Sequence, residues 1–138
     1  MSTDAELSDA RLVICGGHTF NDPRMLSAAL SLFRDCYGIA EIIHGAASGA
    51  DLLAGAWAKW AGIPCTAVPA QPDLYGDSAG PRRNAKMLGM GPTAVLAFPG
   101  GPGTAHMCKQ ANSAGVPVLY AADILRMTAQ NMQAAQST

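Results

Sequence analysis

A chain of 138 residues fits one domain with a sizeable core and leaves no room for a second. Hydrophobic residues make up 49% and charged residues 14%, the composition of a soluble protein with a rather uncharged surface, part of which an oligomer would cover. The net charge of -1 gives no electrostatic case for nucleic acid or a membrane surface as partner.

Cys15, Cys36, Cys65 and Cys108 lack CxxC spacing, and two of them fall in or near expected strands, so reduced cytoplasmic thiols are expected instead of a disulfide framework. The first residues are acidic (Asp4, Glu6, Asp9) and carry no apolar core, which argues against a signal peptide. No apolar run reaches membrane-spanning length.

Residues 1–10 read as a polar lead-in, 11–120 as the folded domain, and 121–138 as a short helix (Ile124, Leu125, Met127) with a polar tail. The first strand is Arg11 to Cys15, running into Gly16-Gly17-His18. Asn21 or Asp22 can cap a helix with Pro23 at its first position, burying Met25, Ala29, Leu32, Phe33 and Cys36 and ending at Gly38.

Ile39 to His44 is the second strand, followed by G-A-A-S-G-A-D at Gly45 to Asp51 and a helix that ends at Gly62. Trp57 and Trp60 on this helix sit more than a turn from any ligand end, so they are expected in the core or a subunit interface and not in a stacking platform. Pro64 to Val68 is the third strand. Residues 69–80 form the longest irregular segment, a length that suits a functional role such as a lid. Pro81 starts the next helix with Arg82, Arg83 and Lys86 near its N-terminus, where cations gain nothing from the helix dipole; an external anion or plain solvation would account for them.

Ala94 to Phe98 is too continuously apolar for a half-exposed strand and reads as a buried parallel one. Pro99 stops it. Gly100, Gly101, Pro102 and Gly103 then form a turn that can direct backbone N–H groups inward, and Thr104 is expected to cap a helix from Ala105 to Ala114. A strand, a glycine turn and a free helix N-terminus make an anion site, most often for phosphate; a tight turn without ligand is the alternative. Val116 to Tyr120 closes the pattern as a fifth strand.

Five strands alternating with four helices predict an α/β fold, a single Rossmann-like three-layer domain with a five-stranded parallel sheet in the order 3-2-1-4-5. Its ligand crevice lies between the first and fourth strands, beyond their carboxyl ends. Gly16, Gly17, His18, Gly45, Ser48, Asp51, Arg82, Arg83, Gly100, Gly101, Gly103 and Thr104 are the residues expected around it. The histidines His18, His44 and His106 each follow a strand end, but no close ligand spacing supports a metal, and no cofactor is called for. His106 is placed near a bound phosphate or to donate to a neighbouring loop, and His44 reads as a satisfied histidine at a strand end. The first turn is G-G-H without G-x-G-x-x-G and no acid closes the second strand, which disfavours a nicotinamide dehydrogenase.

Four blocks together, G-G-H-T-F at 16–20, H-G-A-A-S-G-A-D at 44–51, G-P-R-R-N-A-K-M at 80–87 and F-P-G-G-P-G-T at 98–104, resemble the Rossmann-like SLOG superfamily. That superfamily joins the "lonely guy" phosphoribohydrolases, also mis-called lysine decarboxylases, with the DNA-processing protein DprA. The resemblance is strongest to its small YspA or YpsA-related branch of bacteria and phages. It implies a nucleotide or nucleotide-derived ligand with its phosphate at Gly100 to Thr104, and a homodimer with helices packed across the interface. In the hydrolases the glycine motif continues to a glutamate that works with an arginine on the N-glycosidic bond. Arg83 matches that arginine and Met87 a methionine one turn later, while Asn84 replaces a lysine and Met107 stands at the glutamate's position. Methionine can neither stabilise a cation-like sugar nor orient water. A binding module or sensor is therefore the first expectation. The alternative is phosphoribohydrolase-like cleavage of a nucleoside monophosphate, with Arg83 and an aspartate, Asp51 ahead of Asp22 or Asp77, as catalytic residues. A DNA-associated role lacks a basic surface.

Overall fold

The computed structural model describes residues 7–126; the first part of the 1–10 lead-in, and Met127 with the polar tail, lie outside them. Strands β1 (Ala10–Cys15), β2 (Ile39–His44), β3 (Cys65–Ala67), β4 (Ala94–Ala97) and β5 (Val118–Tyr120) form one parallel sheet in the order β3-β2-β1-β4-β5, as the alternating pattern predicts. Residue alternation divides the core between two faces. Leu12, Ile14, Ile42, Leu96 and Phe98 meet helices α1 (Pro23–Tyr37) and α2 (Ala50–Ala61), together with the helical residues 121–126. Val13, Cys15, Ile43, Val95 and Ala97 meet α4 (Ala79–Leu88) and α5 (Pro102–Ser113). Burial on both faces is why these strands are nearly all apolar.

Several expectations change in detail. Asp22 is the cap of α1, its Oδ1 accepting from Met25 N at 3.0 Å. The buried stripe of α1 is Leu26, Ala29, Leu30 and Phe33, a tighter i, i+3, i+4, i+7 set than the one expected, and Cys36 is exposed. Trp57 is buried and donates Nε1–H to Ser31 Oγ at 3.3 Å, whereas Trp60 is 74% exposed.

The segment after β3 is not irregular throughout. It contains the short helix α3 (Pro72–Tyr75) and a 3-10 turn (Gly76–Ser78) that feeds directly into α4. Pro81 is therefore the third residue of α4 and not its first, still within the turn where a missing N–H goes unnoticed. Helix α5 likewise begins at Pro102, with Gly101 as the cap residue. Thr104 lies inside the first turn and does not cap it, because Pro102 with its fixed φ takes the first position.

At the amino end of the sheet, Arg11 and Glu41 sit opposite each other in the β1–β2 register and pair at 2.9 Å. Thr66 Oγ1 donates to the other oxygen of Glu41 at 2.6 Å. With Arg11 Nη1 on the Met90 carbonyl at 2.6 Å, this network braces the end opposite the crevice and leaves the carboxyl ends of β1 and β4 to shape it.

Candidate functional site

Three loops meet beyond the carboxyl ends of β2, β1 and β4, and Gly17 holds them together. Its N–H donates to the Pro99 carbonyl at 2.8 Å, and its own carbonyl accepts from Phe20 N at 3.1 Å and Ala50 N at 3.2 Å. A Cβ on Gly100 would lie 2.6 Å from Gly17 N and overlap Thr104 Oγ1, so glycine at 100 is required for this close approach. The loops cannot part without breaking these bonds.

Gly101 and Gly103 differ in kind. A Cβ at either would meet nothing within 4 Å, and Gly101 has an ordinary φ of -106. No neighbouring atom requires glycine at these two positions, and Gly103 in a helical first turn is locally unfavourable. No side chain caps α5 and its first turn carries no acid, so the first N–H groups of the helix have no side-chain acceptor, and Gly103 and Thr104 line the crevice.

The loop after β2 is built the opposite way. Asp51 Oδ2 accepts from Gly45 N at 3.0 Å and Ala47 N at 3.2 Å, while His44 Nδ1 accepts from Ala46 N at 2.9 Å. Three consecutive N–H groups are thus turned onto protein acceptors, which holds Ala46 at a left-handed φ of 60. Burial raises the Asp51 carboxyl above its ordinary range, against the lowering influence of the Ala47 N–H, His44, Arg83 and the Gly45 N–H. Burial likewise lowers His44, so its ring is the neutral acceptor that Ala46 needs. Burial also pushes the Cys15 thiol up, with Cys108 adding to the effect, which keeps it protonated.

Helix α4 supplies the far wall. Arg83 Nη1 donates to the Gly45 carbonyl at 2.6 Å and Nε donates to Asn84 Oδ1 at 2.9 Å. Asn84 Nδ2 donates to Gln110 Oε1 at 3.0 Å, and Gln110 Nε2 to the Pro81 carbonyl at 3.0 Å, which clamps α4 to α5.

The crevice is open to solvent and has a volume of about 900 Å3. Of the residues expected around it, Gly16, Gly17, His18, Asp51, Arg83, Gly100, Gly101, Gly103 and Thr104 line it. Gly45 and Ser48 stand behind its wall, Gly45 bonded through both N–H and carbonyl and Ser48 Oγ donating to the His18 carbonyl at 3.0 Å. Arg82 points elsewhere, its Nε on Ser78 Oγ at 3.0 Å and its guanidinium 4.4 Å over the Tyr75 ring. Asn84 and Met107 also line the cavity and were not expected there as site residues. Asn84 is a polar residue on an otherwise buried helical face, and for Met107, 2% exposed, the signal is the resemblance, which sets it at the position of the hydrolase glutamate. Among the described residues no three histidine, cysteine or acidic side chains gather as a metal site, and no helix is long and apolar enough to cross a membrane.

A parallel 3-2-1-4-5 sheet with a glycine turn and a free helix end at its switch point defines a Rossmann-like protein. The model of the YspA, cpYpsA-related SLOG family matches residues 10–75, and the chain is 36% identical over 124 residues to the Gene 61 protein of Mycobacterium phage D29, covering 82% of this chain and 97% of that one. The chain belongs to this SLOG family, a membership that supports a Rossmann-like, nucleotide-binding type of role. No solved structure matches it.

Proposed function

We propose that this protein binds a nucleotide or nucleotide-derived ligand, phosphate first, as a binding module or sensor. The observation that carries the reading is the pair Gly101 and Gly103: no neighbouring atom excludes a side chain at either, and both line a crevice in front of an uncapped helix N-terminus. The phosphate would take the N–H groups of Gly103 and Thr104, with Arg83 on the opposite wall as the cation, and the base and sugar would lie toward Phe20, Met87 and Met107. Isothermal calorimetry with a panel of nucleoside monophosphates tests this: Gly103→Leu should abolish binding, and unchanged affinity would sink the phosphate site.

Phosphoribohydrolase-like cleavage of the N-glycosidic bond remains the second reading, favoured by Asp51 and Arg83 lining one cavity. Against it, Asp51 already accepts two backbone N–H bonds and Met107 occupies the position of the hydrolase glutamate. Incubation with the same panel should then release free base, and no base from any member ends this reading. The four free cysteines suit a reducing cytoplasm, and the exposed Leu52 and Trp60 on α2 suit a homodimer.

A further inference from the structure

Three side chains bridging α4 and α5, Arg83, Asn84 and Gln110, fix the proton of a histidine in the crevice wall. Arg83 Nε can only donate, so the Asn84 atom facing it at 2.9 Å is the oxygen. Asn84 therefore presents its NH2 to Gln110, and the Gln110 atom receiving it at 3.0 Å is Oε1. The other end gives the same assignment independently: the Pro81 carbonyl can only accept, which places Gln110 Nε2 against it at 3.0 Å. Amide orientations are set by such networks, and here both ends agree.

His106 Nδ1 lies 3.2 Å from that same Gln110 Oε1. An acceptor oxygen requires a proton on Nδ1. The neutral ring then keeps its lone pair on Nε2, opposite to His44, whose Nδ1 accepts from Ala46 and whose proton must sit on Nε2. His106 lines the crevice about one turn beyond Gly103, and helical side chains lean toward the N-terminus.

We propose that His106 is a hydrogen-bond acceptor in the crevice for a ligand hydroxyl next to the phosphate, and that Gln110 is the positioning residue that holds it in this tautomer. The inference rests on the phosphate reading above for the ligand's orientation, and it narrows the ligand to a phosphate ester bearing a free hydroxyl, such as a sugar phosphate. A neutral ring with its lone pair outward repels a phosphate oxygen and accepts an O–H. It also supplies an acceptor near where the chain has lost the hydrolase carboxylate to Met107.

The test has two parts. Long-range 1H–15N correlation on the full chain with 15N-histidine, at about pH 8 where an ordinary histidine is neutral, should show His106 protonated on Nδ1 and His44 on Nε2. Gln110→Leu should return His106 to the Nε2–H form, and Gln110→Glu, which keeps an acceptor oxygen, should not. Protonation of His106 on Nε2 in the unmodified protein overturns the proposal. In calorimetry, His106→Phe and Gln110→Leu should each weaken ribose 5-phosphate about tenfold more than inorganic phosphate, the worth of one good hydrogen bond, with Gln110→Glu returning that ratio to its native value. Equal losses for both probes make His106 a phosphate contact and overturn the acceptor role. No binding of either probe by the unmodified protein removes the phosphate site and the ligand half of the proposal, while the tautomer result separately decides the Gln110 lock.

Discussion

Arg83 and Asp51 grip the same residue from two sides: the guanidinium Nη1 bonds the Gly45 carbonyl at 2.6 Å, and the carboxylate Oδ2 bonds the Gly45 N–H at 3.0 Å. The two residues expected to act together on a glycosidic bond both hold one glycine, and both are partly occupied in fixing the loop after β2. A Cβ at Gly45 would fall on the Arg83 guanidinium. Because that is the far end of a flexible side chain, Gly45→Ala should fold, with the arginine displaced and its carbonyl bond lost at about 1–2 kcal/mol. We expect Gly45→Ala to lose as much nucleotide affinity as Arg83→Ala, and the double variant to lose no more than either. Additive losses in a double-mutant cycle would mean that Gly45 does not act through Arg83.

The glycine turn separates stability from binding. At Gly100 a Cβ meets the backbone of Gly17, so Gly100→Ala forces the Gly17–Pro99 contact open and should destabilise the domain by about 2 kcal/mol or more. At Gly103 a Cβ meets nothing and the residue is helical, so Gly103→Ala should stabilise by about 0.5–1 kcal/mol. Urea unfolding measures both. The same Gly103→Ala protein should bind nucleoside monophosphates more weakly, and a variant that is less stable yet binds fully would place the ligand elsewhere.

The strand pattern was readable because both faces of the sheet are covered: continuous apolar runs such as Ala94 to Phe98 admit few alternatives once helices alternate with them. Helix starts were not, since Pro81 and Pro102 each suit more than one position in a first turn, and Thr104 looks like a cap until Pro102 is seen to take the first place. The site was legible as far as glycines and charges announce it. Direction was the missing part. Nothing in R-R says that Arg83 turns to Gly45 while Arg82 stacks on Tyr75, and nothing in the spacing of Asn84, His106 and Gln110 shows that they form one hydrogen-bonded chain across two helices.

Asp51 gives a pH signature of definite sign. Its folded carboxyl is raised above the ordinary value of 3.8, mainly by burial, so the native state holds its proton over a range where the unfolded chain has released it. Below that range Asp51 carries no penalty; as pH rises through it, stability falls. Asparagine keeps an oxygen for the Gly45 and Ala47 N–H groups without the charge. Relative to the native protein, Asp51→Asn should therefore gain stability as pH rises from about 3.8 and level off above the folded value. Glu41, lowered by Thr66 and Arg11, has the opposite trend and cancels in the difference because both proteins carry it. Asp51→Ala, which strands two N–H groups, should lose about 2–3 kcal/mol. Chemical unfolding at stepped pH checks the sign, and a flat Asp51→Asn difference would show that burial does not govern this carboxyl.

Leu52, Ala56 and Trp60 follow one another at spacing four on α2, so they form one stripe, and all three are exposed, Trp60 at 74%. Trp57, between them in sequence, turns inward to Ser31 and lies under the Arg34 guanidinium at 5.5 Å. The helix thus has an interior tryptophan and an outer one, and only the outer one is left in water with an apolar neighbour. In a two-fold dimer the same stripe would meet its copy, so each substitution acts twice. A tryptophan near the centre of an interface contributes about 2 kcal/mol or more. Trp60→Glu should therefore raise the dimer dissociation constant by two orders of magnitude or more, leaving the fold and the crevice, on the opposite end of α2, intact. Sedimentation velocity across a concentration series reads this directly, with nucleotide calorimetry as the control. A native protein that stays monomeric throughout the series removes the dimer, and a dimer indifferent to Trp60→Glu moves its interface to another face.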